Sequence, residues 1–468
     1  MRAVARIRLA PNPVTTFAAA SLLFGSLIIL ATPPLRGPDE TAHFLRAYGA
    51  AAGDIIPSLH DEYGRKGVLL PPRLHAGFDY FDSVFKQKGG EWFGYGPVFQ
   101  AYFDRAPVAV DSQSAPTFVP YGGSEGYSPI AYLPQTAAAA VARALDLDFI
   151  ATLYLMRFAG LAAMTGLIAF AIAMTPQLAW ALVAITMLPA ALYGRSVISA
   201  DGTALATATL VTALWLRGIM SARQPARDSF WMMLSALTKP TNLAFVLLEL
   251  ATLLERPARR WRLFALMVLP ATVAALLWSF GSGADTATWR VVELTGHDAA
   301  AFGPAARLAG LIDDPTHFPA AVMRALSEKD FGELWRQVIG VLGMFDTVLQ
   351  RWVYPAVSVL LFATFLTRLP LAGGPRVRIA AVAGVTAASY AAAVYLVCYL
   401  AFTPPGADTV WGVQGRYFVP ILPLAAIIVA ALFNRALDKG LSAALAISAA
   451  LLSGAASVAA IIEVDWKF

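Results

Sequence analysis

The chain has 468 residues, 58% of them hydrophobic and 14% charged, with a mean hydropathy of +0.61. A soluble domain is roughly 45–50% apolar and about 25% charged, so a water-soluble globular protein is excluded and an all-α polytopic membrane protein is expected. The formal charge is +5, but the arginines stand in short clusters beside apolar runs, which is a topology signal and not a nucleic-acid footprint.

Arg2, Arg6 and Arg8 precede an apolar stretch over 15–32. It reads as a first transmembrane helix (1–32) with its basic end in the cytoplasm, because Ala31-Thr32-Pro33-Pro34 makes a poor signal-peptide cleavage site. Residues 33–147 form a long polar segment, rich in Pro, Gly and aromatics, on the extracytoplasmic side. Within it, 129–145 is short and Ala-rich and suits a helix at the interface, with a full span as the alternative. A transmembrane core follows over 148–281, with apolar runs over 149–174, 177–195, 200–219, 230–254 and 263–281. A second extracytoplasmic loop covers 282–350. The C-terminal helices, over 351–468, take up the runs 352–368, 378–402, 417–434 and 440–462.

Three basic clusters, Arg217 to Arg227, Arg256 to Arg262 and Arg368 to Arg378, belong inside by the positive-inside rule. The segment between the first two therefore enters and leaves by one face. Thr238-Lys239-Pro240 interrupts it, because proline cannot continue the hydrogen-bond ladder and pushes the residue before it out of the helical region. A helical hairpin broken near Lys239 is expected, with the break opening on a polar cavity. About eleven crossings result, with the C-terminus outside.

On this topology several polar residues meet at the outer face. Asp39 and Glu40 are either first-turn acids favoured by a helix dipole or paired carboxylates that deprotonate an acceptor hydroxyl or hold a divalent cation. Asp201 caps a helix or belongs to the site. Lys239 either snorkels to the headgroups or marks an intramembrane site. Arg416 either anchors a helix end or binds phosphate through paired donors. Arg195 stands on the face that should be poor in arginine, and Arg157 lies inside an apolar run, where it needs an acidic partner. His43, His60, His75, His297 and His317 lack zinc-ligand spacing. The single cysteine, Cys398, excludes an intramolecular disulfide and thiolate clusters. No Walker-type loop or dinucleotide fingerprint is present. Trp92, Tyr95, Tyr121 and Trp411 fit an interfacial belt or a sugar platform equally.

Pro38-Asp39-Glu40-Thr41-Ala42-His43-Phe44 resembles the acidic motif in the first outer loop of GT-C class membrane glycosyltransferases, notably protein O-mannosyltransferases. Together with Tyr127 to Gln135, Ser199-Ala200-Asp201-Gly202, Leu237 to Thr241 and Gln414 to Pro420, it resembles a bacterial family of predicted membrane proteins with a domain of unknown function. Leu188 to Asp201 is also similar to the second acidic loop of oligosaccharyltransferase catalytic subunits. The resemblance implies a GT-C-like fold and a polyprenyl-phosphate-linked sugar donor, used at the extracytoplasmic face of a bacterial plasma membrane. The acceptor would be a cell-surface glycan or a lipid-linked precursor. Asp39 and Glu40 match the catalytic base or metal position, Lys239 and Arg416 the donor-phosphate side, and Asp201, Arg195, Arg157 and His43 play supporting parts. The first loop carries Asp-Glu where oligosaccharyltransferases carry Asp-x-Asp, so a Mg or Mn ion stays open. No nucleic acid is expected as a partner. A lipid-linked sugar flippase and a glycan polymerase or ligase are the alternatives.

Overall fold

The computed structural model describes residues 11–87, 94–105, 115–221, 223–255, 257–282, 304–404 and 406–466. Arg2, Arg6, Arg8, Trp92, Arg256 and His297 lie outside them. Seven described helices are long and apolar enough to cross a membrane: Pro13–Ala31, Phe149–Met174, Ala200–Met220, Trp261–Ser282, Gly373–Ala401, Gly415–Phe433 and Lys439–Asp465. The chain is a mostly helical, multi-pass membrane protein. Ala200–Met220 is the central helix, with 78% of its apolar stretch buried against 28% for Pro13–Ala31.

Two apolar runs do not form the single helices their length allows. Residues 177–195 divide into Ala179–Thr186 and Pro189–Ser196, because in a continuous helix the Pro189 ring would collide with the Ile185 carbonyl. In the run over 352–368 the helix covers only Val353–Thr364. The segment after Arg223 doubles back on itself. Helix Pro225–Thr238 rises from Arg223, Lys239 is extended (φ −154°), and a 3-10 helix over Pro240–Glu249 returns. Arg223 and Glu249 then close the base with an ion pair of 2.5 Å. A fourteen-residue helix is about 20 Å long, so Lys239 sits at the far tip. At the break the Thr238 hydroxyl donates to the Ser235 carbonyl at 2.6 Å, one of the backbone groups that membrane burial requires to be paired inside the protein. Asn242 Nδ2 donates to the Ala204 carbonyl at 3.0 Å and to Ser235 Oγ at 3.1 Å.

Arg217 closes Ala200–Met220 at the end opposite Asp201, and Arg223 and Lys239 stand at opposite ends of the hairpin. Asp465, at the end of the last long helix, pairs with Arg36 just beyond the first at 2.8 Å, which brings those two ends to one face.

At that face the segment following the first helix folds into a compact layer. It holds the helices Glu40–Ala51, Pro72–Gln87, Gly96–Phe103 and Leu133–Ala144, with an antiparallel ribbon in which Gly67 lies opposite Pro120. Its core is aromatic: Phe44, Phe78, Phe81, Tyr95, Tyr121 and Phe149 are all buried. Leu133–Ala144 has twelve residues, about 18 Å of helix against roughly 30 Å of bilayer core, and it exposes Leu133 and Val141. A second ribbon pairs Val341–Leu342 with Thr347–Val348. Its turn requires positive φ at Gly343 (63°) and Phe345 (66°). Among the described residues these two ribbons are the departure from an all-α fold.

Candidate functional site

Four charged side chains from four separate elements meet at the loop-covered end of the helices. Asp39 lies in the turn after the first long helix, in left-handed backbone (φ 55°), and makes no side-chain cap bond to the helix it precedes. Its carboxylate instead faces Arg416, with Oδ2 3.4 Å from Nη2. Asp201 stands in the first turn of Ala200–Met220, but Ser199 Oγ supplies the cap by accepting from the Asp201 N–H at 3.1 Å. The Asp201 carboxylate is thereby left to bridge two cations: Oδ1 lies 2.5 Å from Lys239 Nζ, and Oδ2 lies 3.4 Å from Arg416 Nε.

Lys239 reaches this point because Pro240 ends the helix before it and holds it extended. Arg416 begins the 3-10 turn over Gly415–Ile421 that leads into the next long helix. Gly415 lets that turn sit against helix Phe331–Gly340, since a Cβ there would strike the Leu334 carbonyl and the Gln337 side chain. Gln337 Oε1 also accepts from the Gly415 N–H at 2.8 Å. Aromatic faces complete the setting: Lys239 Nζ is 4.2 Å from the Tyr417 ring centre, and the Arg416 guanidinium lies 4.6 Å from that of Phe345, both within cation–π range.

The cluster carries two acids and two bases and separates two cavities. One, with about 600 Å³ of empty space, has mostly apolar walls that include Ala190, Val197, Leu205, Val341, Val419 and Pro420. The other, about 370 Å³, is lined by Asp39, His43, Gly123, Ser124, Tyr127 and Phe402. Asp201, Lys239, Arg416 and Tyr417 belong to both walls. A third space of about 570 Å³ opens past Asp39 between Phe345, Phe402, Gln414 and Tyr417. His43 donates to or accepts from the Tyr132 hydroxyl at 2.6 Å. Burial lowers its pKa to about 4, against the pull of Asp39 and Asp201, so at neutral pH it lines the polar cavity as a neutral ring.

The remaining candidates lie elsewhere. Glu40 is fully buried and points away from Asp39. It forms a two-point ion pair with Arg157, at 2.8 and 2.6 Å, and accepts backbone N–H groups from Gly37 and Ile198. Every lone-pair direction it offers is engaged, so Glu40 is a counter-ion that fixes the turn carrying Asp39. Arg157 also donates to the carbonyls of Thr32 and Pro33. Arg195 is buried between helices, where it donates to the carbonyls of Thr186 and Ala191 and to Ser21 Oγ. It ties the two halves of the broken run to the first helix and does not reach the cluster.

Phe345 and Tyr417 are the site groups that sequence reasoning did not single out. Tyr417 was within reach, since it follows Arg416. Phe345 was not, because its position depends on a ribbon pinned by an Asp346–Arg36 ion pair of 2.7 Å. Among the described residues no group of three or more His, Cys, Asp or Glu side chains converges, and both cluster carboxylates face cations.

The profile of a family described as predicted membrane protein (DUF2142) matches residues 22–425. The chain belongs to this family. The matched region contains all four charged residues of the cluster and the hairpin that carries Lys239. No curated protein and no solved structure matches the chain.

Proposed function

We propose that this protein is a membrane glycosyltransferase of the GT-C kind. It would move a sugar from a polyprenyl-phosphate carrier to a hydroxyl of a cell-surface glycan or lipid-linked acceptor, at the extracytoplasmic face of a bacterial plasma membrane. The observation that carries the reading is the position of Lys239 and Arg416 between an apolar cavity and a polar one. A ligand suited to that arrangement has a hydrocarbon part, an anionic link and a polar head, in that order, as a polyprenyl-phosphate sugar does. The resemblance of the motifs around Asp39 and Asp201 to GT-C loops supports the same chemistry, and the arginine-rich ends opposite the cluster support the orientation.

In this reading the phosphate sits against Lys239 and Arg416, the sugar lies toward Asp39, and the acceptor enters through the space beside Phe345 and Gln414. Asp39 takes the proton of the acceptor hydroxyl as its oxygen attacks the anomeric carbon. The bond from that carbon to the phosphate oxygen breaks, and its electron pair leaves with the polyprenyl phosphate. One displacement inverts the anomeric centre. The proton transfer also serves the leaving group: once Asp39 is neutral it no longer competes for Arg416, whose guanidinium then holds the phosphate more strongly as its charge grows. No metal is used.

Removal of a general base costs about 10²–10⁴-fold in rate. In cells carrying Asp39→Asn, polyprenyl-phosphate monosaccharide is expected to accumulate in the lipid extract while its acceptor product falls by that order. Normal product levels in this strain would overturn the reading. Accumulation of the same lipid only in the cytoplasmic leaflet would assign the protein to flipping instead.

A further inference from the structure

The two oxygens of the Asp201 carboxylate divide between Lys239 Nζ at 2.5 Å and the Arg416 guanidinium, whose Nε lies 3.4 Å away while donating its hydrogen to Gln414 Oε1 at 2.9 Å; two oxygens of a phosphate would span the same pair of cations. Among these contacts Lys239 is only 12% and Arg416 13% exposed, so little water competes for them. Asp201 does not owe its position to capping, which Ser199 performs. The cluster of Asp39, Asp201, Lys239 and Arg416 is also neutral as it stands. A phosphate arriving between the two cations meets a carboxylate already in place, and like charges held together away from water repel strongly.

We propose that Asp201 is a built-in occupant of the anion site, a carboxylate that holds Lys239 and Arg416 in position when no ligand is bound and that the incoming phosphate displaces. This deepens the reading above and rests on it. The consequence is a bias by charge. A sugar-bearing carrier is a phosphodiester with one negative charge, so it replaces the carboxylate charge for charge. The spent carrier is a monoester with up to two charges, and the displaced carboxylate opposes the second. Asp201 therefore weakens product binding more than donor binding and promotes release of the spent carrier.

The test is binding of farnesyl phosphate, a short phosphomonoester of the same type, to the purified full-length protein in detergent, followed by calorimetry. Removing the competing carboxylate with Asp201→Asn should tighten binding by about tenfold or more, whereas Asp201→Glu, which keeps the charge, should stay near wild type. Should Asp201→Asn fail to fold, Asp201→Ser removes the carboxylate while keeping a short polar side chain. Equal or weaker binding by the neutral variant, with wild type binding normally, would overturn the proposal and leave the transferase reading standing. No binding by either protein would overturn both.

Discussion

Asp39 and Glu40 are neighbours in sequence with opposite surroundings, and the difference assigns them separate work. Asp39 keeps a side chain 37% exposed toward the cavities, while Glu40 and Arg157 are both fully enclosed. Removing one member of a buried ion pair leaves the other charged and unpaired, at a cost of roughly 3–5 kcal/mol. Glu40→Gln is therefore expected to lower the unfolding temperature sharply. Thermal unfolding of the purified variant checks this. A Glu40→Gln protein of normal stability that has lost transfer would return Glu40 to the chemistry. Nothing in Asp-Glu as a dipeptide separates the two roles, because the separation depends on Arg157, more than a hundred residues away.

At the level of elements, three of the four cluster residues stand where a local rule starts or stops a helix. Pro240 halts the hairpin at Lys239, Ser199 starts the central helix two residues before Asp201, and Gly415 admits the turn that carries Arg416. These interruptions are legible in sequence as Thr-Lys-Pro, Ser-Ala-Asp and Gly-Arg, which is why Lys239, Asp201 and Arg416 were identifiable from the chain alone. The break at Pro189 is marked by its proline, but the apolar run continues through it and masks the boundary. The ribbon bearing Phe345 had no comparable signal: two residues in each strand are too few to show alternation. The role of Gly415 gives a direct prediction. A methyl group there must push the turn away from Leu334 and Gln337, an overpacking that costs about 1–3 kcal/mol. Gly415→Ala is thus expected to reduce the proposed transfer through displacement of Arg416 with only a moderate drop in melting temperature, as comparison of activity and thermal unfolding would show. Unchanged activity would mean that Arg416 needs no such close support.

For the whole molecule, the composition and the spacing of apolar runs were enough to give a multi-pass membrane protein, since no other environment accommodates that much apolar surface in helices of bilayer length. What composition could not give is the aromatic layer over the helix ends, whose long-range contacts join Phe44 to Phe149 and Arg36 to Asp465. That layer encloses the end of the bundle where Asp39, Asp201, Lys239 and Arg416 converge, and the proposed function requires those charges to form a seat for the phosphate of a lipid carrier. Mass spectrometry of lipids retained by the purified protein tests this most directly. Wild type should carry polyprenyl phosphate or its sugar ester, and the double variant Lys239→Gln, Arg416→Gln should lose it while keeping its ordinary phospholipids. Equal retention of polyprenyl phosphate by the two proteins, or none in the wild type, would contradict the account.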